Sequence, residues 1–170
     1  IKEPDMKSIE IIAYNYCMLG CSYKCINKIK EAESCLLKAE QIIAPNYEYD
    51  KVYTLIYGRI LNNISIFYYE INELDKSERY NLKARTVFDT QPQRNNSVSF
   101  SFSVAKSKEL YADILRDKGD LSLSKSVYRE CLQIKNRFLK KGVEMDQSQI
   151  LFFKRIENKL KTFSEKSANI

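Results

Sequence analysis

The sequence has no histidine, no tryptophan, four glycines and three prolines among 170 residues. Without histidine there is no His general base, no His-activated Ser or Cys nucleophile and no His-ligated metal site. So few glycines and prolines leave few turn signals, which argues against a many-stranded β fold and for long helices. No stretch of 18 apolar residues free of charge occurs, so no segment reads as a membrane-spanning helix. A Gly-rich phosphate loop and a nucleophile elbow are also missing.

Charge is nearly balanced. Lys and Arg number 28 against 22 Asp and Glu, for a net +6. No basic run exceeds Lys140-Lys141 or Lys154-Arg155. Nucleic acid selects a denser stripe than this, so the excess reads as solvated surface and no nucleic-acid partner is expected. The five cysteines, at 17, 21, 25, 35 and 131, are odd in number, and three of them are spaced four apart within one helical pattern. Side chains so placed rarely meet disulfide geometry, and a reduced, cytoplasmic compartment is expected. Apolar residues make up 44% and charged residues 29%, enough for a core in one domain over residues 1–170. The opening Ile1-Lys2-Glu3-Pro4-Asp5 reads neither as a signal peptide nor as a usual start, so a piece of a longer protein is expected.

Helical periodicity dominates what is present. Val127, Cys131, Ile134 and Phe138 form one apolar face, and Phe153, Ile156, Leu160 and Phe163 form another. Breaks fall at Asn27-Lys28, Pro45-Asn46, Asn72-Glu73, Pro92 to Asn96, Gly119-Asp120 and Gly142. Gly or Asn after a helix takes the left-handed cap conformation, and Asp120 and Asp146 are suited to cap the helices that follow them. The spacing predicts seven helices, at about 5–25, 29–44, 49–71, 74–90, 98–118, 121–141 and 147–165, and no strand.

Small residues recur in register. Ala32 and Ala39, Ser77 and Ala84, and Ser124 and Cys131 are pairs seven apart, repeated at 45 and 47 residues. Twelve residues before each first member stand Gly20, Ser65 and Ala112. Bulky residues hold two further columns: Tyr23, Tyr68 and Leu115, and Leu19, Ile64 and Tyr111. Two antiparallel helices pack closely only where one presents a small residue to the other's large one. Each such hairpin leaves an apolar face for the next to cover.

The first of these units, Tyr16..Leu19-Gly20..Tyr23, then Ala32...Leu36..Ala39, resembles the tetratricopeptide repeat, with its proline at Pro45. The third keeps Gly119-Asp120-Leu121..Ser124...Tyr128..Cys131 but has Lys108 at the aromatic opening position, and the second has Asn81 where a bulky residue is expected. Spacings of 45 and 47 exceed the family's usual 34, as in the long-repeat type of kinesin light chain and of bacterial peptide-sensing regulators. The resemblance implies an all-α, right-handed superhelical stack of three hairpins (5–45, 49–91 and 98–141) with a solvating cap helix over 146–165. It implies a non-catalytic module that captures a peptide segment or partner helix in its concave groove.

Carried over by repeat, the groove positions are Tyr14, Cys17, Met18, Cys21, Lys24 and Cys25 in the first. In the second they are Arg59, Asn62, Asn63, Ile66, Tyr69 and Glu70, and in the third Lys106, Glu109, Leu110, Asp113, Arg116 and Asp117. Asn is a poor helix-interior residue, and its carboxamide both donates and accepts, which suits Asn62 and Asn63 to grip a peptide backbone. Arg59, Lys106 and Arg116 would meet acidic groups, and Tyr14 and Tyr69 would supply contact area. The five-residue carboxylate clamp of chaperone-tail binders is not present: Asn63 and Lys106 match it, while Cys17, Cys21 and Leu110 do not. Cys17, Cys21 and Cys25 read as small groove-wall or inter-helix residues, since a tetrahedral thiolate site lacks its fourth ligand. Most of the twelve tyrosines fall on packing positions, and Glu109 with Asp113 reads as an ion-pairing rather than an acid–base pair. No catalytic residue, cofactor or metal is expected. The alternatives are a peptide-sensing regulatory domain, a self-assembly scaffold using the terminal helices and, third, an RNA-binding role.

Overall fold

A computed structural model describes residues 6–46, 51–90 and 97–168. Seven α-helices follow in order: α1 (Met6–Cys25), α2 (Ile29–Ile43), α3 (Lys51–Glu70), α4 (Leu74–Asp89), α5 (Val98–Asp117), α6 (Leu121–Lys140) and α7 (Gln147–Ala168). A 3-10 turn over Ala44–Asn46 carries Pro45 after α2. Each expected helix is found with ends shifted by a few residues, and no strand occurs among the described residues. The expected break at Pro92 to Asn96 lies outside them.

Local chemistry explains where the helices stop. Asn27, Asn72, Gly119 and Gly142 all have positive φ, at 58°, 62°, 93° and 66°. Each is followed by an amide that reaches back five residues: Lys28 to the Tyr23 carbonyl, Glu73 to Tyr68, Asp120 to Leu115 and Val143 to Phe138, at 2.8–3.0 Å. These are the left-handed caps that satisfy the last carbonyls of a helix. The next helices start on acidic caps where expected: Asp120 accepts from the Leu123 amide at 3.1 Å. Asp146 accepts from the Gln149 amide at 2.9 Å, and Gln149 Oε1 accepts from the Asp146 amide at 3.2 Å, closing a reciprocal box.

The chain forms two compact units, Ile1–Gln93 and Arg94–Ile170. In the first, α1 pairs with α2 and α3 with α4, and α3 lies against both α1 and α2. In the second, α5 pairs with α6, and α7 packs on α6. The core of the second unit joins Tyr128, Cys131, Ile134 and Phe138 of α6 to Phe152, Phe153, Ile156 and Phe163 of α7.

The small columns mark where paired helices touch. Ala32, Ala39, Ser65, Ser77, Ala84, Ala112, Ser124 and Cys131 all have no exposed surface. Ser65 and Ser77 donate to each other's backbone carbonyls at 2.8 Å, and the Ser124 hydroxyl donates to the Ala112 carbonyl at 2.7 Å. Asn81 is fully buried at the position where a bulky residue was expected. Leu19 departs from its column: Ile64 is fully buried while Leu19 is 43% exposed. No earlier helix among the described residues lies against α1.

Gly20 tests this close approach. A β-carbon there would stand 2.7 Å from Leu36 Cγ and 3.0 Å from the Ala32 carbonyl oxygen. In a helix Ala gains at most about 1 kcal/mol over Gly, whereas overpacking costs about 1–3 kcal/mol, and a backbone oxygen yields little. Gly20→Ala therefore destabilises the first unit by about 1–2 kcal/mol, read as a lower urea midpoint at unchanged slope. A gain in stability would contradict the packing.

Candidate interaction face

Side-by-side placement of α1 and α3 brings their groove positions together in the first unit. Asn63 Nδ2 donates to Cys17 Sγ at 3.2 Å, and Lys24 Nζ meets Glu70 at 2.5 Å. Both pairs are 46 residues apart in the chain, so one lateral register fixes the whole face. Tyr14 is 47% exposed, Arg59, Cys25 and Glu70 are exposed, and Cys21, Asn63, Ile66 and Tyr69 are half-buried. The Asn63 carboxamide is thus pinned by one of its hydrogens while its Oδ1 has no partner among the described residues. A side chain already oriented loses less entropy when it gains a ligand.

Asn62 has a different environment. It is 6% exposed, and its Oδ1 is buried without a hydrogen-bond partner. Its repeat equivalents, Cys17 and Glu109, are equally buried. The position is an inner one in all three hairpins, one residue away from the outward-facing Asn63.

Three groups couple the cysteines to this face. Cys17 hydrogen-bonds to Cys21, and this bond together with burial pushes the Cys17 thiol up, against the opposing effect of Asn63. The same bond lowers Cys21 to about 7, helped by the Lys24 ammonium and opposed by burial and by Glu70. All five cysteines are free thiols. No cluster of three or more His, Cys, Asp or Glu suited to a metal ion occurs among the described residues.

In the second unit two of the α5 groove positions, Glu109 and Asp113, are engaged by α7. Arg155 gives Glu109 two parallel hydrogen bonds, at 2.8 and 2.6 Å. Lys159 bridges Glu109 at 2.8 Å and Asp113 at 2.7 Å. Asp113 also accepts from Arg116 at 2.9 Å and from the Tyr128 hydroxyl at 2.5 Å. Asp113 is therefore engaged in holding α7 and Arg116 pairs with Asp113 and Asp117, whereas Lys106 remains exposed with its ammonium 4.7 Å from the Phe102 ring centroid. Sequence reasoning missed Arg155 and Lys159. Their signal was the same offset of 46 residues: Glu109 to Arg155 and Asp113 to Lys159 pair opposite charges across it.

Burial opposes ionisation of Glu109, but the hydrogen bonds from Arg155 and Lys159 outweigh it, and its pKa lies below the ordinary value. A carboxylate depressed on folding stabilises the folded state above its unfolded pKa of about 4.3, and that contribution is lost as pH falls through the folded value. The urea midpoint of the protein should fall as pH drops from about 5 toward 3, and Glu109→Gln should flatten that fall. An unchanged slope in the variant would contradict the assignment. Lys159→Met leaves two buried carboxylates short of a partner and should cost about 2–4 kcal/mol, measured by urea unfolding at pH 7.

Comparison with known proteins adds a repeat assignment to this geometry. The Tetratricopeptide repeat family model matches residues 13–46 and 105–138. The two matches start 92 residues apart, the separation of Ala32 from Ser124. They fall on the α1–α2 and α5–α6 hairpins, with the Ser65–Ser77 contact of α3–α4 in the same register between them. Searches of curated proteins and of solved structures return no match. No helix among the described residues is long and apolar enough to cross a membrane. The matched hairpins, the recurring small-residue contacts and the left-handed caps identify tetratricopeptide repeats at residues 13–46 and 105–138 of this chain.

Proposed function

We propose that this protein holds an extended peptide segment on the face shared by α1 and α3. Tetratricopeptide repeats generally mediate protein–protein interactions and are typically non-catalytic, and the whole chain, with hairpins at 5–45, 49–91 and 98–141 and a helix at 146–165, acts as one such module. The observation that carries the reading is the Asn63 carboxamide, held by Cys17 at 3.2 Å with its Oδ1 unpartnered among the described residues. That oxygen accepts a backbone amide of the ligand. Tyr14 and Tyr69 supply amphipathic contact area, and Ile66 gives an apolar floor. Arg59 takes an acidic side chain of the ligand. Cys21 lies within the face, and Asn62 supports it from beneath rather than touching the ligand. In the second unit, taken by itself, Lys106 offers an exposed cation to an acidic group, while Asp113 and Arg116 are engaged in the ion cluster beside α7. Five free thiols accord with a reducing, cytoplasmic setting.

A peptide array on the purified chain tests the reading, with Asn63→Ala as the paired control. Loss of one backbone-gripping hydrogen bond costs about 1–2 kcal/mol, a weakening of roughly five- to thirty-fold. Binding that ignores Asn63→Ala but is abolished by Lys106→Ala would move the site off α1 and α3. An absence of binders together with a mass that rises with concentration would replace the reading by self-assembly.

A further inference from the structure

We infer that two copies of this chain associate about a two-fold axis through the outer side of the first hairpin, α2 lying antiparallel on α2 and α1 on α1. The second hairpin shows this side when it is covered. Its Tyr57, Leu61, Ile64 and Tyr68 are buried. Helix α2 meets them there, Glu33 accepting from the Tyr68 hydroxyl and Glu40 pairing with Lys83, both at 2.6 Å. Ile12, Tyr16, Leu19 and Tyr23 stand 45 residues earlier. Ile12 is 41% exposed, Leu19 is exposed as well, and the two tyrosines are half-buried. Where the second hairpin has Tyr80, the first has Cys35. A groove of about 440 Å³ opens there, between Tyr16 and the Ser34, Cys35 and Lys38 side of α2.

The polar residues of this side are complementary to themselves. Glu31, Ser34, Lys38 and Gln41 follow at three, four and three residues and form one exposed stripe along α2. Neither Glu31 nor Lys38 has an ion pair among the described residues. An axis passing between Ser34 and Cys35 sets Glu31 of one copy against Lys38 of the other, twice by symmetry, and Lys28 against Gln41. Small residues then lie at the crossing, the same means by which Ser65 and Ser77 bring α3 and α4 together. The register inside the hairpin carries the axis on to α1. Gly20 lies against Ala32, so the level between Ser34 and Cys35 on α2 is the level between Cys17 and Met18 on α1. Tyr16 of one copy therefore faces Leu19 of the other, and Ile12 faces Tyr23. Moving the axis one helical turn either way would set Glu31 on Glu31 or Lys38 on Lys38. Exposed ion pairs add little affinity, so they fix the register, and burial of the four α1 side chains drives association. The two helices offer a side of about 30 by 20 Å, or about 600 Å² on each copy, near the lower end for specific dimers. A dissociation constant in the micromolar range is expected.

The α1–α3 face lies on another side of α1, where Tyr14 and Cys21 stand, so the dimer forms whether or not that face holds a peptide. The test therefore contains none. Sedimentation equilibrium of the full reduced chain at low ionic strength should give a mass rising with concentration from 20.0 kDa toward twice that value. Glu31→Lys and Lys38→Glu should each weaken association at least about tenfold, because each sets like charges face to face twice. The double variant restores opposite pairs and should return the dissociation constant to within about threefold of the unaltered chain. Both side chains are exposed, so every variant should keep its urea midpoint. A mass that stays at 20.0 kDa overturns the inference. So does a dimer that the single reversals leave intact, or one that the double variant fails to restore.

Discussion

A helix that touches its neighbour through glycine or serine lies too close for any larger side chain, and this contact governs the rest of the structure. Gly20 against Ala32 and Leu36, Ser65 against Ser77, and Ser124 against the Ala112 carbonyl are three forms of the same approach. The first is a bare van der Waals contact. The other two add a hydroxyl that satisfies a backbone carbonyl or another hydroxyl, so a polar atom is buried at little net cost. Because each hairpin closes at these points, the first helix of each presents a defined face away from its partner. What that face meets next then depends on the following helix.

The two units use that face differently. In the first, the contacts of α3 with α1 include a carboxamide-to-thiol bond and an ion pair, and aromatic and guanidinium groups lie at the surface. In the second, α7 is held against α5 by two basic and two acidic side chains, with Tyr128 and Arg116 completing the network. Ion clusters of this kind add modest net stability after desolvation, yet breaking one leaves buried charge without a partner. Their effect is to fix where α7 lies along α5. Glu109 and Asp113 of the third hairpin are thus directed inward to α7.

Much of this was legible in the sequence, because it is set by local rules. Asn27, Asn72, Gly119 and Gly142 announce the left-handed ends, Asp120 and Asp146 announce the next starts, and the small columns announce the hairpin contacts. The parts that escaped depend on lateral offset between helices far apart in the chain. Nothing local distinguishes Asn62 from Asn63, yet one is buried and the other half-exposed, because they lie about 100° apart around the helix. The pairing of Glu109 with Arg155 follows from how far α7 slides along α5, which no single helical period encodes. Leu19 shows the converse: its repeat column predicts burial, but the covering helix that the column presupposes is not among the described residues.

The central claim is that the face shared by α1 and α3 receives the partner. Amide and side-chain chemical shifts recorded while a selected peptide is titrated in test it most directly. The account predicts the largest changes at Tyr14, Cys21, Arg59, Asn63, Ile66 and Tyr69, with the outer faces of α2 and α4 unmoved. Changes concentrated on α2 and α4, or on α6, would contradict it.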